Sequence, residues 1–152
     1  MKKEHNFIYL AGLLDGEGYF GIRKHKPGKG GQVNPRYQEE IKIAMVEEKP
    51  IRLLKKIFGG SLYTAKGTNR SLFIYQAADK IACSICKSLL PYLLIKNKNA
   101  KILLKMRLHK EKTIAKNKGG KFKQLTKAQL VIREKFYVQC KNNNSPHNAT
   151  II

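Results

Sequence analysis

The sequence predicts an α+β fold in which helices and β-hairpins follow one another in the order αββαββα, with further helices at the C-terminal end. Two kinds of pattern support this order. Apolar residues recur at helical spacing in several segments, and apolar and polar residues alternate with period two in the segments between them. Clusters of glycine, proline and asparagine separate these segments and indicate turns.

The first helix combines an apolar stripe with two glycines. Its apolar residues recur at i, i+3, i+4 and i+7, namely at Phe7, Leu10, Ala11 and Leu14. Gly12 and Gly16 lie four residues apart on one side, a spacing that allows a second helix to approach closely. Each mid-helix glycine costs about 1 kcal/mol relative to alanine, so the pair indicates a requirement for close packing.

This helix ends at acidic residues, Asp15 and Glu17, which are flanked by glycines. The C-terminal end of a helix already carries partial negative charge from its unpaired carbonyl groups. Two further carboxylates there oppose stability, but they favour the binding of a divalent cation.

A long hairpin follows, with strands predicted over residues 19–26 and 36–46 and a loop of glycine, lysine, asparagine and proline between them. The second strand alternates strictly, which predicts a sheet with one buried and one polar face. Its alternating residues are Ile41, Ile43 and Met45 on one side and Glu40, Lys42 and Ala44 on the other.

A second helix is predicted to begin near Pro50 and to end at Gly59–Gly60. The second hairpin is predicted over residues 62–66 and 71–76. Asp79 is a candidate cap for a third helix, which Pro91 ends.

A long amphipathic helix is predicted over residues 99–114. Thr126 and Gln129 have the spacing of a capping box that opens a last helix, to about Val138. Residues 142–152 are polar and are predicted to be frayed.

The charge of the chain restricts its partners. Its 152 residues are enough for one domain, predicted over residues 1–152, and they include 31 Lys+Arg against 10 Asp+Glu, a net charge of +21. Such a surface repels itself unless a polyanion neutralises it. No apolar run approaches 18 residues and no signal peptide is present, so a membrane partner is disfavoured. Nucleic acid remains, and charge alone does not separate DNA from RNA.

The sequence lacks the residue patterns of a zinc site, a disulfide framework and other common catalytic sites. The three cysteines, Cys83, Cys86 and Cys140, are too few for a zinc site and odd in number, which argues against a disulfide framework. The histidines lie far apart in the sequence. Neither a Ser/His/Asp pattern nor a phosphate-binding glycine loop occurs, and no small-molecule substrate is expected.

The nine residues from Leu10 to Gly18 resemble the LAGLIDADG motif of homing endonucleases, and the predicted element order is similar to that family over about residues 5 to 140. The resemblance implies a four-stranded antiparallel sheet that forms a saddle on DNA. It further implies site-specific cleavage of a long, near-palindromic double-stranded target by Mg²⁺-dependent phosphodiester hydrolysis, with Mn²⁺ as a possible substitute.

The single motif implies a homodimer, since the family packs two motif helices against each other. The two-fold axis would bring two Glu17 side chains together, one for each DNA strand. The residues expected at this interface are Leu10, Ala11, Gly12, Leu13, Asp15 and Gly16.

The resemblance also implies roles at the catalytic site. Glu17 matches the metal-binding carboxylate, and the Gly16 carbonyl matches a second oxygen ligand. Glu47 stands where single-motif members carry a Gln-like residue that helps to place water. Lys96 matches the lysine near the scissile phosphate, and Arg52 is the nearest candidate, off by one position, for an assisting arginine.

Side chains on the outer face of the sheet are expected to contact DNA in the major groove. Arg36, Lys26 and Lys29 are expected to bind phosphates. The remaining predicted contacts are Arg23, His25, Gln38, Glu40, Lys42, Thr64, Lys66, Arg70, Ser71, Phe73, Tyr75 and Lys98.

Two alternatives use the same fold, an RNA-binding intron splicing factor (maturase) and a non-catalytic DNA-binding protein. Glu17 and Lys96 favour the nuclease, because a neutral residue at position 17 would favour the others. The expected location is intracellular, in an organelle or in bacterial or phage cytoplasm.

Overall fold

The structure is a computed structural model that describes residues 2–28, 34–115 and 125–145. These residues form helices and strands in the predicted order, with a short 3₁₀ turn at Leu90–Tyr92. The helices are α1 (Lys3–Glu17), α2 (Glu48–Phe58), α3 (Asp79–Leu89), α4 (Asn97–Ala115) and α5 (Lys127–Asn143). The strands are β1 (Tyr19–His25), β2 (Arg36–Met45), β3 (Ser61–Lys66) and β4 (Ser71–Ala78).

The four strands form one sheet in the order β1-β2-β4-β3, and every neighbouring pair is antiparallel. Phe20 lies opposite Ile41, and Ile43 lies opposite Tyr75. Residues that face each other across a ladder share one side of the sheet. The predicted α+β class and four-stranded antiparallel sheet are therefore confirmed.

The core lies between one face of this sheet and the helices. Leu10, Ala11 and Leu14 of α1 are fully buried, and Phe7 stacks on Phe58 of α2 with ring centroids 5.8 Å apart. Full burial of one large aliphatic side chain contributes about 1.5–3 kcal/mol, so this stripe anchors α1 to the domain. The predicted helical stripe is confirmed.

α5 is longer than the sequence pattern predicts. The capping box is present, since Thr126 Oγ1 accepts from the Gln129 N–H at 3.2 Å and Gln129 Oε1 accepts from the Thr126 N–H at 3.0 Å. The helix continues past Val138 to Asn143 because Cys140 is buried and the last turn is held by side-chain hydrogen bonds. The Tyr37 hydroxyl and Lys24 both bind Glu134, which joins α5 to the first hairpin.

Asp79 does not cap α3, contrary to the prediction. The N-cap is Ala78, and Asp79 is the first helical residue, with a φ of 53°. Its carboxylate accepts from Gln38 Nε2 at 2.7 Å and lies 3.2 Å from Arg107 and 3.4 Å from Lys110. Three long side chains therefore compete for this carboxylate more strongly than the helix N–H groups do.

A buried ion cluster lies between β2 and α4. Glu39 is fully buried, and its carboxylate accepts from Arg107 at 2.8 Å and from Lys110 at 2.9 Å. A buried carboxylate without such partners would cost several kcal/mol. The alternation of β2 places Glu39 on the same side as Ile41, but the pattern of one strand does not identify its partners Arg107 and Lys110, which lie on a distant helix.

The three cysteines are free and buried. Burial raises the pKa of the Cys83 thiol to about 11, so the thiol stays protonated at neutral pH. Within the described part of the chain, no helix combines the length and the apolar character needed to cross a bilayer.

Candidate nucleic-acid interface

The acidic end of α1 carries two carboxylates with different surroundings. Glu17 and Gly16 are exposed, whereas Asp15 is buried. Among the described residues, none donates a hydrogen bond or forms an ion pair with the Glu17 carboxylate. The oxygens of Glu17 are therefore available for a ligand, and those of Asp15 are not.

Asp15 binds the backbone of the segment that follows α3. Its carboxylate accepts from the N–H groups of Leu94 at 2.6 Å, Ile95 at 3.2 Å and Lys96 at 2.9 Å. Charge-assisted bonds of this kind are roughly twice as strong as neutral ones. The first helix thereby fixes the backbone of Lys96 through Asp15, the residue two positions before Glu17. Sequence reasoning assigned Asp15 to the dimer interface and missed this contact.

An asparagine cluster, Asn99, Asn143 and Asn144, lies next to residues 94–98. Asn99 is 3% exposed, and its Nδ2 donates to the Phe20 carbonyl at 3.0 Å and to Asn144 Oδ1 at 3.0 Å. Asn143 donates to Asn99 at 2.8 Å, and Asn144 donates to the same Phe20 carbonyl at 2.9 Å. The end of α5 is thus joined to the start of α4 and to β1.

The asparagine cluster lines a cavity of about 340 Å³ together with Lys96 and Lys98. Its polar and cationic lining suits an anionic group. Sequence reasoning missed the cluster, since asparagine near a predicted frayed end is an ordinary solvated residue.

Glu47 and Arg52 belong to the start of α2. Glu47 is the exposed N-cap, and its carboxylate accepts from the Lys49 N–H at 3.4 Å. Arg52 binds Glu48 at 2.6 Å on the helix surface. Both contacts lie at the start of α2, and in the part of the chain that the structure describes neither residue contacts Glu17.

The first hairpin presents a basic outer face, opposite the helices. The register places Arg23 opposite Gln38 and His25 opposite Arg36, so all four side chains lie on this face, as predicted. Gln38 contacts His25 Nε2 at 3.1 Å and Asp79 at 2.7 Å. Its amide is therefore oriented before any ligand arrives.

The other predicted cationic contacts differ in exposure and in position. Lys26 after β1, Arg70 between β3 and β4 and Lys98 in α4 are exposed, whereas Lys42 in β2 is half-buried. Lys29 lies outside the described residues.

Glu40 lies on the outer face, but it is not free to contact a ligand. It is 4% exposed, and its Oε1 lies 2.8 Å from Lys42, 3.6 Å from Arg23 and 2.8 Å from its donor Gln76. The prediction of a direct DNA contact is corrected, because these donors cover the carboxylate. Its charge instead orients two cations on this face.

In the second hairpin, the residues on the outer face are not the predicted ones. Ala44 lies on the outer face of β2 and pairs with Ile74, and Ile74 pairs with Tyr63. Ile74 and Tyr63 therefore lie on the outer face, and their neighbours in each strand lie on the inner face. Tyr75 is fully buried and donates to the Gly59 carbonyl at 2.8 Å, and Phe73 packs against the core. The residues that the register removes from the outer face are Thr64, Lys66, Ser71, Phe73 and Tyr75.

α1 presents one exposed side away from the core. Gly12 and Gly16 lie on it, and an added Cβ at either would meet no atom within 4 Å. Ile8 and Tyr9 are 49% and 47% exposed beside them. This side offers backbone and apolar surface to another molecule.

The predicted interface set is corrected accordingly. Leu10 and Ala11 are fully buried in the core of their own protomer, and Asp15 is engaged by residues 94–96. These three side chains are therefore not accessible to a second protomer. The apolar stripe of α1 and its glycines lie on opposite sides of the helix. Leu13 is half-buried at the margin.

The chain was compared with protein families and known proteins. A family model described as LAGLIDADG endonuclease matches residues 10–109. Among curated proteins, no match was found.

Solved structures of homing endonucleases share the fold. I-SmaMI bound to cleaved DNA matches with a TM-score of 0.68 and 15% identity over 91% of this chain, which spans 45% of that protein. The archaeal intron-encoded I-Vdi141I complexed with DNA matches with a TM-score of 0.60 and 11% identity, over 90% of this chain and 99% of that one. I-CvuI in complex with I-CreI target DNA matches with a TM-score of 0.57 and 14% identity, over 91% and 96%.

Proposed function

The chain belongs to the LAGLIDADG endonuclease family, and on this premise we propose that it is a site-specific endonuclease acting on double-stranded DNA. The observation that carries the proposal lies at the end of α1, where Glu17 is exposed and Asp15, two residues earlier, binds the backbone of residues 94–96. A basic sheet face supplies the binding surface, and the net charge of +21 suits a polyanion. I-SmaMI and I-Vdi141I, which have similar folds, were solved in complex with DNA, and this supports DNA as the partner of this chain.

We assign the metal site to the Glu17 carboxylate and the Gly16 carbonyl. Both are hard oxygen ligands and both are exposed, which fits Mg²⁺ and, as a substitute, Mn²⁺. A protomer offers few ligands here, and no cluster of three His, Cys, Asp or Glu side chains occurs in the described ranges. DNA oxygens and a second protomer would complete the coordination. When bound, the cation supplies charge neutralisation at the phosphate and an activated water.

Lys96 has the role of stabilising negative charge on the phosphate during cleavage. Asp15 fixes the Lys96 backbone through its N–H at 2.9 Å, so the ammonium group extends from a rigid point. Glu47, as a residue that places water, and Arg52, as an assisting cation, remain part of the proposal. Both lie at the start of α2, immediately after β2.

The protein acts as a homodimer in this proposal. The exposed side of α1, with Gly12 and Gly16, would pack on its own copy about a two-fold axis. Leu94 and Ile95, exposed beside the end of α1, extend the apolar surface. The dimer brings two Glu17 side chains to the centre of a near-palindromic site.

The test is cleavage of a randomised duplex library in Mg²⁺, followed by sequencing of the cut ends. The wild-type protein is expected to give a near-palindromic consensus. Glu17→Gln is expected to cut this target at below about one-hundredth of the wild-type rate, because several kcal/mol of charge stabilisation are lost. It should bind the target as tightly as wild type.

The matched control is Glu4→Gln, which neutralises another exposed carboxylate on the first turn of the same helix. This variant should cut at the wild-type rate. Full cleavage by Glu17→Gln would show that the metal assignment is wrong, and a chain that cuts no duplex in Mg²⁺ would overturn the nuclease proposal.

A further inference from the structure

The outer face of the second hairpin carries exposed apolar side chains. Tyr63 is 46% exposed and Leu72 is 37% exposed, and Ile74 is half-buried. The register pairs Tyr63 with Ile74 and Ala65 with Leu72. With Ala44, which pairs with Ile74 across β2, these residues form a continuous apolar patch over three strands. We use "apolar patch" for these five residues.

The apolar patch is continuous with the basic outer face of the first hairpin. Ala44 and Lys42 are alternate residues of β2, and Lys42 pairs with Gln76 on β4. The patch therefore lies on the surface that faces DNA in the proposed function, on which this inference rests. The apolar patch also differs in chemistry from the rest of this surface, because the other outer residues are mostly cationic or carry an amide group.

The major groove contains one apolar group that such side chains can recognise. Each A·T pair presents the C5-methyl group of thymine there, whereas the other edges present hydrogen-bond donors and acceptors. An apolar side chain against a donor or acceptor leaves that polar group unpaired, which costs binding energy. We propose that the apolar patch recognises thymine C5-methyl groups, and that Leu72 and Ile74 each read one.

The spacing of these two residues sets the spacing of the thymines. Alternate residues of a strand lie about 6.6 to 6.8 Å apart. Successive nucleotides of one DNA strand are separated by about 3.4 Å along the axis. Leu72 and Ile74 therefore reach base pairs that are about two steps apart, in each half of a near-palindromic target.

The first experiment is a selection for binding from a randomised duplex library, without added metal, using the full chain. Wild type is expected to enrich thymine at two positions of each half-site. Ile74→Ser should lose the preference at one of them and Leu72→Ser at the other, because serine has no methyl group to contact the thymine methyl. The control is Val131→Ser on α5, which alters a side chain that is 66% exposed far along the chain from the patch. It should select the wild-type consensus.

The second experiment replaces deoxythymidine by deoxyuridine at those positions of the selected duplex. Only the methyl group is removed, so wild type should bind about fourfold more weakly for each substitution, the factor that corresponds to one methyl group returned to water. Deoxyuridine at other positions should have no such effect. This measurement uses the wild-type protein alone, so it holds even if a variant fails to fold.

A consensus that binds tightly but is insensitive to deoxyuridine would overturn this inference and leave the proposed function intact. So would a consensus in which guanine or cytosine occupies the positions that the Leu72 and Ile74 variants alter. If no duplex is selected at all, the inference and the proposed function are both wrong.

Discussion

At the scale of single residues, two carboxylates of one motif have different roles because of helix geometry. Asp15 and Glu17 are two positions apart, which turns their side chains about 200° from each other around the axis. Asp15 is therefore directed at the backbone of residues 94–96, and Glu17 is exposed. Asp15 holds the site together, and in our proposal Glu17 carries its chemistry.

Asp15→Asn is expected to lower the free energy of unfolding by about 1–3 kcal/mol. One of its two acceptor oxygens becomes an NH₂ group, which faces backbone N–H donors that then stay unpaired. Urea denaturation measures the loss. Glu17→Gln is the control and should change stability by less than about 0.5 kcal/mol, since its side chain is exposed. Equal stability of wild type and Asp15→Asn would contradict the role of Asp15.

Asp79 shows how a carboxylate responds to competing surroundings. Burial alone would raise the pKa of Asp79, but the hydrogen bond from Gln38 and the charges of Lys110 and Arg107 hold that pKa below its ordinary value. A group with a lowered folded-state pKa stabilises the protein above its unfolded pKa. This stabilisation is lost as the pH falls through the folded-state pKa.

The folded state should therefore keep the contribution of Asp79 at neutral pH and lose it only in acid, starting below the ordinary carboxyl pKa of about 3.9. Asp79→Asn should flatten this acid limb of the stability curve and leave its slope at neutral pH unchanged. Urea denaturation from pH 7 to about pH 2 measures both. An unaltered acid limb in the variant would show that other carboxylates account for it.

At the scale of elements, the asparagine cluster couples three segments that are distant in sequence. α5 ends on Asn143 and Asn144, α4 begins near Asn99, and β1 contributes the Phe20 carbonyl. The segment between Lys96 and Lys98 is fixed at one end by Asp15 and followed directly by Asn99. Its position thus depends on the C-terminal helix.

Asn99→Ala is expected to cost about 1–3 kcal/mol of stability, because Asn143 and Asn144 lose a buried partner. In the nuclease that we propose, kcat should fall and KM should stay near the wild-type value, since the binding face of the sheet is unaltered. Gln139→Ala, an exposed change on α5, is the control for stability and for cleavage. A pure rise in KM would indicate that the cluster acts through binding instead.

At the scale of the whole molecule, the surface of one protomer indicates where a second protomer would bind. Two glycines and two large apolar side chains lie on the exposed side of α1, while the opposite stripe of the same helix is sealed in the core. A helix that is apolar on both sides is one that packs on both sides. The homodimer that we propose would account for the glycine pair, which one protomer alone does not require.

Gly12→Leu is expected to leave the protomer folded and to abolish the dimer. An added Cβ meets nothing within 4 Å in the protomer, and leucine ranks next to alanine as a helix former, whereas glycine is about 0.8–1.0 kcal/mol less favourable than alanine. Across a close helix crossing, the same side chain would separate the two backbones. Sedimentation velocity measures the dimer, with Ala128→Leu on the exposed start of α5 as the control. A Gly12→Leu dimer as stable as that of wild type would exclude this side of α1 as the interface.

Sequence patterns are reliable here where one face is apolar and the other is not. The stripe of α1 and the alternation of β2 predicted burial correctly at Leu10, Leu14, Ile41 and Ile43. β4 reads as Leu72, Phe73, Ile74 and Tyr75 in succession, and either alternate set is apolar enough to face the core. Phe73 and Tyr75 face the core because of the register between β4 and β2. This register places Ile74 opposite Ala44, on the outer face.

The sequence by itself determined the family, the order of helices and strands, the basic character of the surface and the residues of the acidic motif. Each of these depends on local spacing or on composition, which are properties of neighbouring residues. Only the tertiary structure decided which way the second hairpin faces, that Asp15 holds residues 94–96, and that the end of α5 supports the site. Those outcomes depend on strand register and on contacts between residues that lie tens of positions apart, and no local pattern encodes either one.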